Sequence, residues 1–348
     1  MKYLIIGVIA IIVGLVAWHT LSGTSQTSSD VSASNTSVNT ESVQVVTSIY
    51  PLAYISERIV GSVGSVTNLG DGRDPHDFRP SAQDIKDMVD ADLVVIQGAD
   101  LEPWGEDMES QLSAQNVPLV IATDNLNLHK AEDGHDTHGD EHDDHNEHRD
   151  DHHTDEHADH EEEAHREEGN HDKHAHGLYD PHTWLEPTLM SQVAANIATR
   201  LSTIDPNNAS VYSANLALLQ QDLAALDSEY TDALSTCQLD EIITSHDAFG
   251  YVARSYGFDI HTIGGLSTQD TPSAVTLARL KDEAAEGIST ILLEENSITA
   301  YGEILARETG LQTLSINPIV ITIPAGQDYL SIMRSNLETF KIGLSCNE

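Results

Sequence analysis

Residues 92–97 read DLVVIQ and residues 117–122 read VPLVIA, and these two stretches decide the fold. Both are continuous apolar runs, which is the pattern of a strand buried on both faces. The segment Ser81–Asp90 before the first run has a helical pattern, and Ser81 is a suitable N-cap for it. Strands that alternate with helices in this way predict a parallel sheet in an α/β fold.

The same alternation extends outward in both directions. Two further strands are predicted upstream, at Val45–Ile49 and Ser65–Leu69, with a helix between them that ends near Val60. After residue 236 the pattern starts again, with strands at 241–244, 259–263, 288–293 and 312–316 and helices at 248–256, 273–286 and 300–309. We therefore predict two α/β lobes, each with a mostly parallel four-stranded sheet.

A long helix is predicted between the lobes. The segment Pro206–Leu234 has no Gly, and no Pro after its first residue. Its apolar residues recur at three- and four-residue steps, as in an amphipathic helix: Leu216, Leu219, Leu223, Leu226, Tyr230 and Leu234. About 28 residues at 1.5 Å each reach roughly 40 Å. One stiff helix can therefore lie along both lobes and disfavour large hinge closure.

The N-terminus has the pattern of a targeting segment. Lys2 precedes an apolar run, Leu4–Trp18, which is short for a spanning helix of about 20 residues and suits a signal peptide. A Ser/Thr-rich tether follows, and no Cys stands after the run to carry a lipid. Retention as a membrane anchor is favoured because no A-x-A-like cleavage site stands out, and cleavage is the alternative. Either fate places the rest of the chain outside the cytoplasm.

Composition excludes several classes of function. The 348 residues carry 57 acidic against 16 basic side chains, a net charge of −41, so the surface repels phosphate backbones and no nucleic-acid partner is expected. Two cysteines are too few for a cysteine-rich zinc framework or an iron–sulfur cluster. Whether Cys237 and Cys346 form a disulfide is left open by the sequence.

The predicted organisation has five parts. They are a signal or anchor segment (1–21), a tether (22–44), an N-terminal lobe (45–205) that contains an insertion (129–177), a linking helix (206–236) and a C-terminal lobe (237–348).

The insertion holds fourteen of the 19 histidines, interleaved with Asp and Glu. It has too few apolar residues to order itself, so we predict a disordered loop. Imidazole and carboxylate are preferred ligands of zinc and copper, which indicates weak, multi-site metal capture. The candidate residues for this capture are His135, His138, His142, His145, His148, His152 and His153.

Three other histidines share a context. His76 lies in DPHDFRPS, His182 in YDPHTWLEP and His246 in TSHDAFGY, and His76 and His246 follow predicted strands. In open parallel sheets, ligands bind at the carboxyl ends of strands. Two of the three histidines come from the first lobe and one from the second, so we predict a metal site in the cleft between lobes. Asp77 and Asp247 are candidate acceptors for the ring N–H groups.

These motifs resemble a known family. Four segments that occur in order within residues 45–344 resemble the zinc substrate-binding proteins of metal-importing ABC transporters. The segments are IYPLAYISERIVG, GRDPHDFRPSAQDIKDMVDADLVVIQGADLEPW, DPHTWLEP and TSHDAFGYVARSYGF. The resemblance implies one Zn²⁺ held by His76, His182 and His246 between two helix-linked lobes. It also implies capture of Zn²⁺ outside the membrane and delivery to an ABC permease.

The resemblance also bears on the choice of metal. Related manganese and iron receptors have a carboxylate at the position of His246 and an Asp where this chain has Asn317. Imidazole is a good ligand for zinc and carboxylate for manganese, so the three imidazoles predict Zn²⁺. The fourth coordination position of the ion is expected to hold water or to stay open. Asn317 is a candidate for holding the metal ligands in position without binding the ion itself. Glu294 and His261 are interpreted as structural.

Three alternatives remain. The first is the same receptor role for manganese, iron or nickel, and the second is a surface zinc buffer or an adhesin-type protein. The third is a secreted zinc hydrolase, which is disfavoured because no HExxH or paired-carboxylate motif is present and Asp247 is the only candidate base. We therefore do not expect an enzyme.

Overall fold

The computed structural model describes residues 42–130, 178–268, 270–294 and 299–347. The signal or anchor segment, nearly all of the tether and most of the insertion lie outside the described residues. The seven loop histidines from His135 to His153 lie outside them as well. Among the helices that are described, none has both the length and the apolar character needed to span a bilayer.

The first lobe is built on a parallel sheet with the order β2-β1-β3-β4. Its strands are β1 (Val43–Thr47), β2 (Gly64–Asn68), β3 (Leu93–Ile96) and β4 (Leu119–Ile121), and its helices are α1 (Tyr50–Val60), α2 (Ala82–Val89) and α3 (Gly105–Ala114). Every residue of β3 is buried, as its unbroken apolar sequence predicts. Ser81 caps α2, accepting a hydrogen bond from the Asp84 backbone N–H at 3.2 Å.

Two helices connect the first sheet to the second. They are α4 (Pro187–Ile204) and α5 (Ala209–Leu234), separated by a 3₁₀ turn at Pro206–Asn208. The predicted linking helix is thus confirmed from Ala209 onward, and its first residues form the turn instead. The 26 residues of α5 span about 39 Å.

The second lobe repeats the plan of the first, with the strand order β6-β5-β7-β8, all parallel. Its strands are β5 (Glu241–Thr244), β6 (Asp259–Thr262), β7 (Thr290–Glu294) and β8 (Gln312–Ile316), and its helices are α6 (Gly250–Tyr256), α7 (Ala274–Glu286), α8 (Thr299–Thr309) and α9 (Tyr329–Gly343). Two parallel four-stranded sheets in an α/β fold confirm the predicted fold class.

Helix α5 packs against both lobes. On the first side, the Asn215 side chain donates to the carbonyl of Ile59 in α1 at 2.9 Å. On the second side, the Tyr230 hydroxyl donates to the carbonyl of Met333 in α9 at 2.6 Å. The apolar stripe of α5 is buried in one continuous core with residues of both sheets. Because residues 42–348 form one compact unit, the lobe boundaries proposed from the sequence remain a proposal.

Cys237 and Cys346 form a disulfide, which answers the question that the sequence left open. Cys237 follows α5 and precedes β5, and Cys346 follows α9, so the bond joins the C-terminal segment to the amino-terminal edge of the second sheet.

Strand order decides where a ligand can bind. In the first sheet β2 and β3 lie on opposite sides of β1, and in the second sheet β6 and β7 lie on opposite sides of β5. This change of direction leaves a crevice at the carboxyl ends of β1 and β3, and of β5 and β7. The segments that follow β2, β4 and β5 carry the predicted histidines, at the same carboxyl-terminal edges of the two sheets.

Candidate metal centre

Three histidines from separate segments meet between the two sheets. His76 lies on the loop between β2 and α2, His182 on the segment between β4 and α4, and His246 on the loop after β5. One ring nitrogen of each lies within 4.8 Å of the other two. The ring centroids are 5.4 to 6.5 Å apart. The structure therefore brings together the three residues singled out from the sequence.

The two Asp-Pro-His tripeptides form the same local turn. An Asp74 carboxylate oxygen accepts the backbone N–H of His76 at 3.0 Å, and an Asp180 oxygen accepts that of His182 at 2.9 Å. This is the Asx turn, in which an aspartate side chain binds the backbone two residues ahead. The proline between them fixes φ, so each histidine follows a constrained turn.

His182 is held rigidly in the interior. Its side chain is buried, and Nδ1 lies 2.8 Å from the Asp180 carboxylate. The buried Gln97 amide, at the end of β3, donates to the Pro181 carbonyl at 2.7 Å and to the Thr183 hydroxyl at 2.8 Å. A neutral imidazole whose Nδ1–H faces a carboxylate has its lone pair on Nε2. His182 can therefore offer Nε2 to a metal ion.

His246 has a similar arrangement in the second lobe. Its Nδ1 lies 2.5 Å from a carboxylate oxygen of Glu294, the last residue of β7. The Ser245 hydroxyl accepts the Glu294 backbone N–H at 3.1 Å, which ties the ends of β5 and β7 together. Both His246 and Glu294 are buried.

The carboxylates that orient these two rings differ from those suggested by the sequence. Asp180 faces Nδ1 of His182, and Glu294 faces Nδ1 of His246, for which the sequence suggested Asp247. Asp180 could have been recognised from the Asp-Pro-His turn itself. Glu294 was interpreted as structural, and the structure places it in the pocket wall, so a carboxylate lies beside the three imidazoles.

Burial dominates the electrostatics of the pocket. Burial, with the nearby charge of His246, holds the pKa of His182 well below its ordinary value. Burial also acts to lower the pKa of His246, but the charge and hydrogen bond of Glu294 outweigh it and raise that pKa. Burial raises the pKa of Asp180 to about 7, against the lowering effect of its hydrogen bond from the His182 backbone.

The histidines line a small, mostly apolar cavity of about 10 Å³, the scale of a single water molecule. Trp184 forms one wall, and its indole N–H donates to the Pro318 carbonyl at 2.8 Å. Val320 and Ile321 line the cavity from the same turn as Pro318. A space of this size accommodates one ion.

Asn317 supports this wall from behind. Its side-chain N–H₂ donates to the Thr322 carbonyl at 2.9 Å, and its side-chain oxygen accepts the Ile319 N–H at 2.7 Å. Asn317 thus fixes the turn that carries Pro318 and Val320 to the cavity. That it acts on a bound ion through this wall remains our proposal.

His261 lies elsewhere, on β6 at the edge of the second sheet. Its two ring nitrogens face Glu283 at 3.1 Å and Glu241 at 3.6 Å, both partly exposed. Its position matches the structural interpretation made from the sequence. His129 is the first residue of the insertion, and Lys130 and Tyr179 pair as an isolated antiparallel bridge at its two ends.

Two parallel α/β lobes, a helix that braces both and a histidine pocket between them define the class of helix-linked, two-lobe substrate-binding proteins. The chain belongs to the ZnuA family, described as "Zinc-uptake complex component A periplasmic", which matches residues 45–343.

Its relatives include the zinc-binding protein AdcA of Streptococcus pyogenes serotype M3, 37% identical over 306 residues that cover 86% of this chain and 56% of the relative. The chain thus spans little more than half the length of that relative. The high-affinity zinc uptake system protein ZnuA of Bacillus subtilis is 30% identical over 87% of this chain and 88% of the relative.

Solved structures agree on the fold. The laminin-binding adhesin Lmb of Streptococcus agalactiae, in a mutant structure, superimposes with a TM-score of 0.71 at 26% identity over 87% of this chain and 99% of that one. The Zn(II)-bound ZnuA-like domain of Streptococcus pneumoniae AdcA has a TM-score of 0.66 at 27% identity, over 87% and 98% of the two chains.

Proposed function

We propose that this protein captures Zn²⁺ outside the cytoplasm, holds it between its lobes and delivers it to an ABC permease for high-affinity uptake. The observation that carries the proposal is the convergence of His76, His182 and His246 within 4.8 Å in a buried pocket. Membership of the ZnuA family and the zinc-binding names of the relatives support it.

The geometry suits zinc. Zinc binds imidazole nitrogen at roughly 2.0–2.1 Å and prefers tetrahedral coordination, which places ligand atoms about 3.4 Å apart. The three ring nitrogens are within 4.8 Å of one another, so shifts on the order of 1 Å bring them onto one ion. The Glu294 carboxylate, in the same pocket, can fill the fourth position or hold His246 in place as it does in the structure.

The donor set favours zinc over the alternative metals. Manganese prefers carboxylate and water oxygen, whereas this pocket brings three imidazoles together, beside the carboxylates of Asp74 and Glu294. A competition titration of Zn²⁺ against Mn²⁺, Fe²⁺ and Ni²⁺ tests this choice, and a preference for Mn²⁺ would contradict it.

The small size of the metal pocket favours a zinc-binding receptor over a zinc enzyme. A hydrolytic zinc site needs an open position and room for substrate beside the ion. Here the pocket has a volume of about 10 Å³ and walls of Trp184, Pro318 and Val320, so it would enclose an ion closely, and the larger open space lies on the other side of His76. We therefore propose a receptor with Zn²⁺ as its transported ligand.

The disulfide supports an extracytoplasmic location, because such bonds persist in oxidising compartments. The family description "periplasmic" and the name of the pneumococcal relative, a zinc-binding lipoprotein, agree with this location. We propose that the N-terminal apolar segment directs export and holds the protein at the outer face of the membrane when it is not cleaved. We further propose that the histidine-rich insertion captures metal weakly at several positions.

Isothermal titration calorimetry with Zn²⁺ tests the proposed site. We expect one tight binding event for the full chain, and loss of that event in the triple variant His76→Ala/His182→Ala/His246→Ala. The variant His261→Ala, which removes a histidine remote from the pocket, is the matched control and should bind as tightly as the wild type. Tight binding retained by the triple variant would overturn the assignment.

A further inference from the structure

The three histidines are not held equally. The segment that carries His182 is fastened to the C-terminal lobe by three hydrogen bonds. Tyr251 donates to the Asp180 carbonyl at 2.8 Å, Tyr329 donates to the Trp184 carbonyl at 2.6 Å, and the Trp184 indole donates to the Pro318 carbonyl at 2.8 Å. His182, His246 and Glu294 therefore form one rigid, buried half of the pocket.

His76 forms the other half and is less buried than its two partners. It lies on the long loop between β2 and α2, and it lines two cavities at once. One is the small metal pocket, and the other is an open basin of about 1010 Å³ between the lobes. The imidazole of His76 thus separates the buried site from the open basin.

The basin suits the passage of a cation. Arg79 is the basic side chain among its described lining residues, against six acidic residues. These are Asp77, Asp100, Glu102, Glu106, Asp107 and Asp270. Negative charge in a cleft raises the local concentration of cations. Zn²⁺ that moves between solvent and pocket by this path must pass His76.

A single carboxylate ties the His76 turn across the cleft. One oxygen of Asp74 accepts the backbone N–H of His76 at 3.0 Å, and the other accepts the hydroxyl of Thr268 at 2.5 Å. Thr268 belongs to the C-terminal lobe, after β6, and it also lines the metal pocket. The position of His76 over the pocket is therefore coupled to a contact with the opposite lobe.

We propose that the Asp74–Thr268 hydrogen bond is a latch that positions His76 on the ion, and that Zn²⁺ leaves through the acidic basin when this latch opens. The inference rests on the proposed function and adds a positioning residue, Thr268, that acts on His76 through Asp74. Exchange then needs movement of the loop that carries His76, while His182, His246 and Glu294 stay in place.

The test is the rate of Zn²⁺ dissociation, measured by stopped-flow mixing of the loaded protein with an excess of chelator. Thr268→Val keeps the side-chain shape and removes the hydroxyl, and hydrogen bonds to charged groups are the strong ones. We expect dissociation at least about tenfold faster, which corresponds to about 1.4 kcal/mol. Thr268→Ser, which restores the hydroxyl, and Thr271→Val, an exposed threonine on the same loop, should both dissociate within about twofold of the wild type.

A double-variant cycle separates the latch from a general loosening of the loop, because coupled residues are not additive. If Thr268 acts through His76, then His76→Ala/Thr268→Val should release Zn²⁺ at the rate of His76→Ala alone. Dissociation of Thr268→Val at the wild-type rate, or multiplication of the two effects in the double variant, would overturn the latch. Failure of the wild type to bind Zn²⁺ would instead overturn the proposed function, so the two failures are distinguishable.

Discussion

His246 and Glu294 face each other at the carboxyl ends of neighbouring strands, with Nδ1 and the carboxylate oxygen 2.5 Å apart in the buried pocket. The pairing depends on the strand order, which places β7 directly beside β5. It gives the pocket an anionic group and fixes the ring so that Nε2 can face an ion.

Replacing Glu294 with Gln tests this pairing. The amide keeps the size of the side chain but loses the charge that supports His246, so we expect zinc affinity to fall by about 10- to 100-fold. Calorimetric titration measures the change. Glu283→Gln, at the partly exposed pair with His261, is the matched control and should leave affinity unchanged. Equal affinity of Glu294→Gln and the wild type would remove Glu294 from the site.

Replacing His76 with Ala removes the ligand on the side of the basin. We expect an affinity loss of at least about tenfold, with the fold retained because His76 is only partly buried. Titration with Zn²⁺ gives the affinity, and thermal unfolding of the metal-free protein checks the fold. A variant that folds normally and binds zinc as tightly as the wild type would contradict the role assigned to His76.

Acid should weaken zinc binding, because an imidazole must be neutral to bind a metal. The raised pKa of His246 means that protons compete for this ring already near the ordinary histidine value of about 6.5 and above. The lowered pKa of His182 keeps that ring neutral, so it adds little to the competition. We expect affinity to be constant at high pH and to fall as the pH drops towards the ordinary histidine pKa of about 6.5 and below it. Affinity unchanged at pH 5 would argue against a histidine site.

Removal of the insertion should lower the zinc stoichiometry and leave the tightest binding event intact. Lys130 and Tyr179 already pair as an antiparallel bridge, so residues 131–178 can be replaced by an Asn-Gly turn, which suits a two-residue hairpin. Calorimetry of this variant separates weak from tight binding. Loss of the tight event would make the insertion the primary site.

The disulfide should contribute stability without affecting zinc binding. Cys237 and Cys346 are separated by 109 residues, and they lie at the amino-terminal edge of the second sheet, away from the strand ends that form the pocket. We expect Cys237→Ser/Cys346→Ser to lower the free energy of unfolding by about 2–4 kcal/mol. Chemical denaturation measures this, and zinc titration should give the wild-type affinity. Unchanged stability would show that the bond is dispensable.

Local patterns predicted most of the fold. The continuous apolar runs at 92–97 and 117–122 became β3 and β4, and the leucine stripe after residue 215 became the buried face of α5. Helix α4 was not predicted, although Met190, Val193, Ile197 and Leu201 have helical spacing and are buried. Helix α3 has a weaker signal, because only Met108 and Leu112 are buried on it.

Local patterns were less informative about the metal centre. Strand ends and two Asp-Pro-His turns were enough to single out the three histidines. The contact between Glu294 and His246 could not be derived in this way, because it depends on the order of two strands, β5 and β7, that begin 49 positions apart in the chain. The Asp74–Thr268 contact joins residues that are 194 positions apart and has no local signal.

Helix α5 braces both sheets, so a change confined to the loop of His76 leaves most of the exterior of the protein as it was. Under the proposed exchange, which moves that loop alone, zinc-loaded and zinc-free molecules have nearly the same outer surface. If the protein delivers zinc to a permease as proposed, a permease that accepts only the loaded molecule must recognise the surface around the loop of His76, which the contact between Asp74 and Thr268 holds.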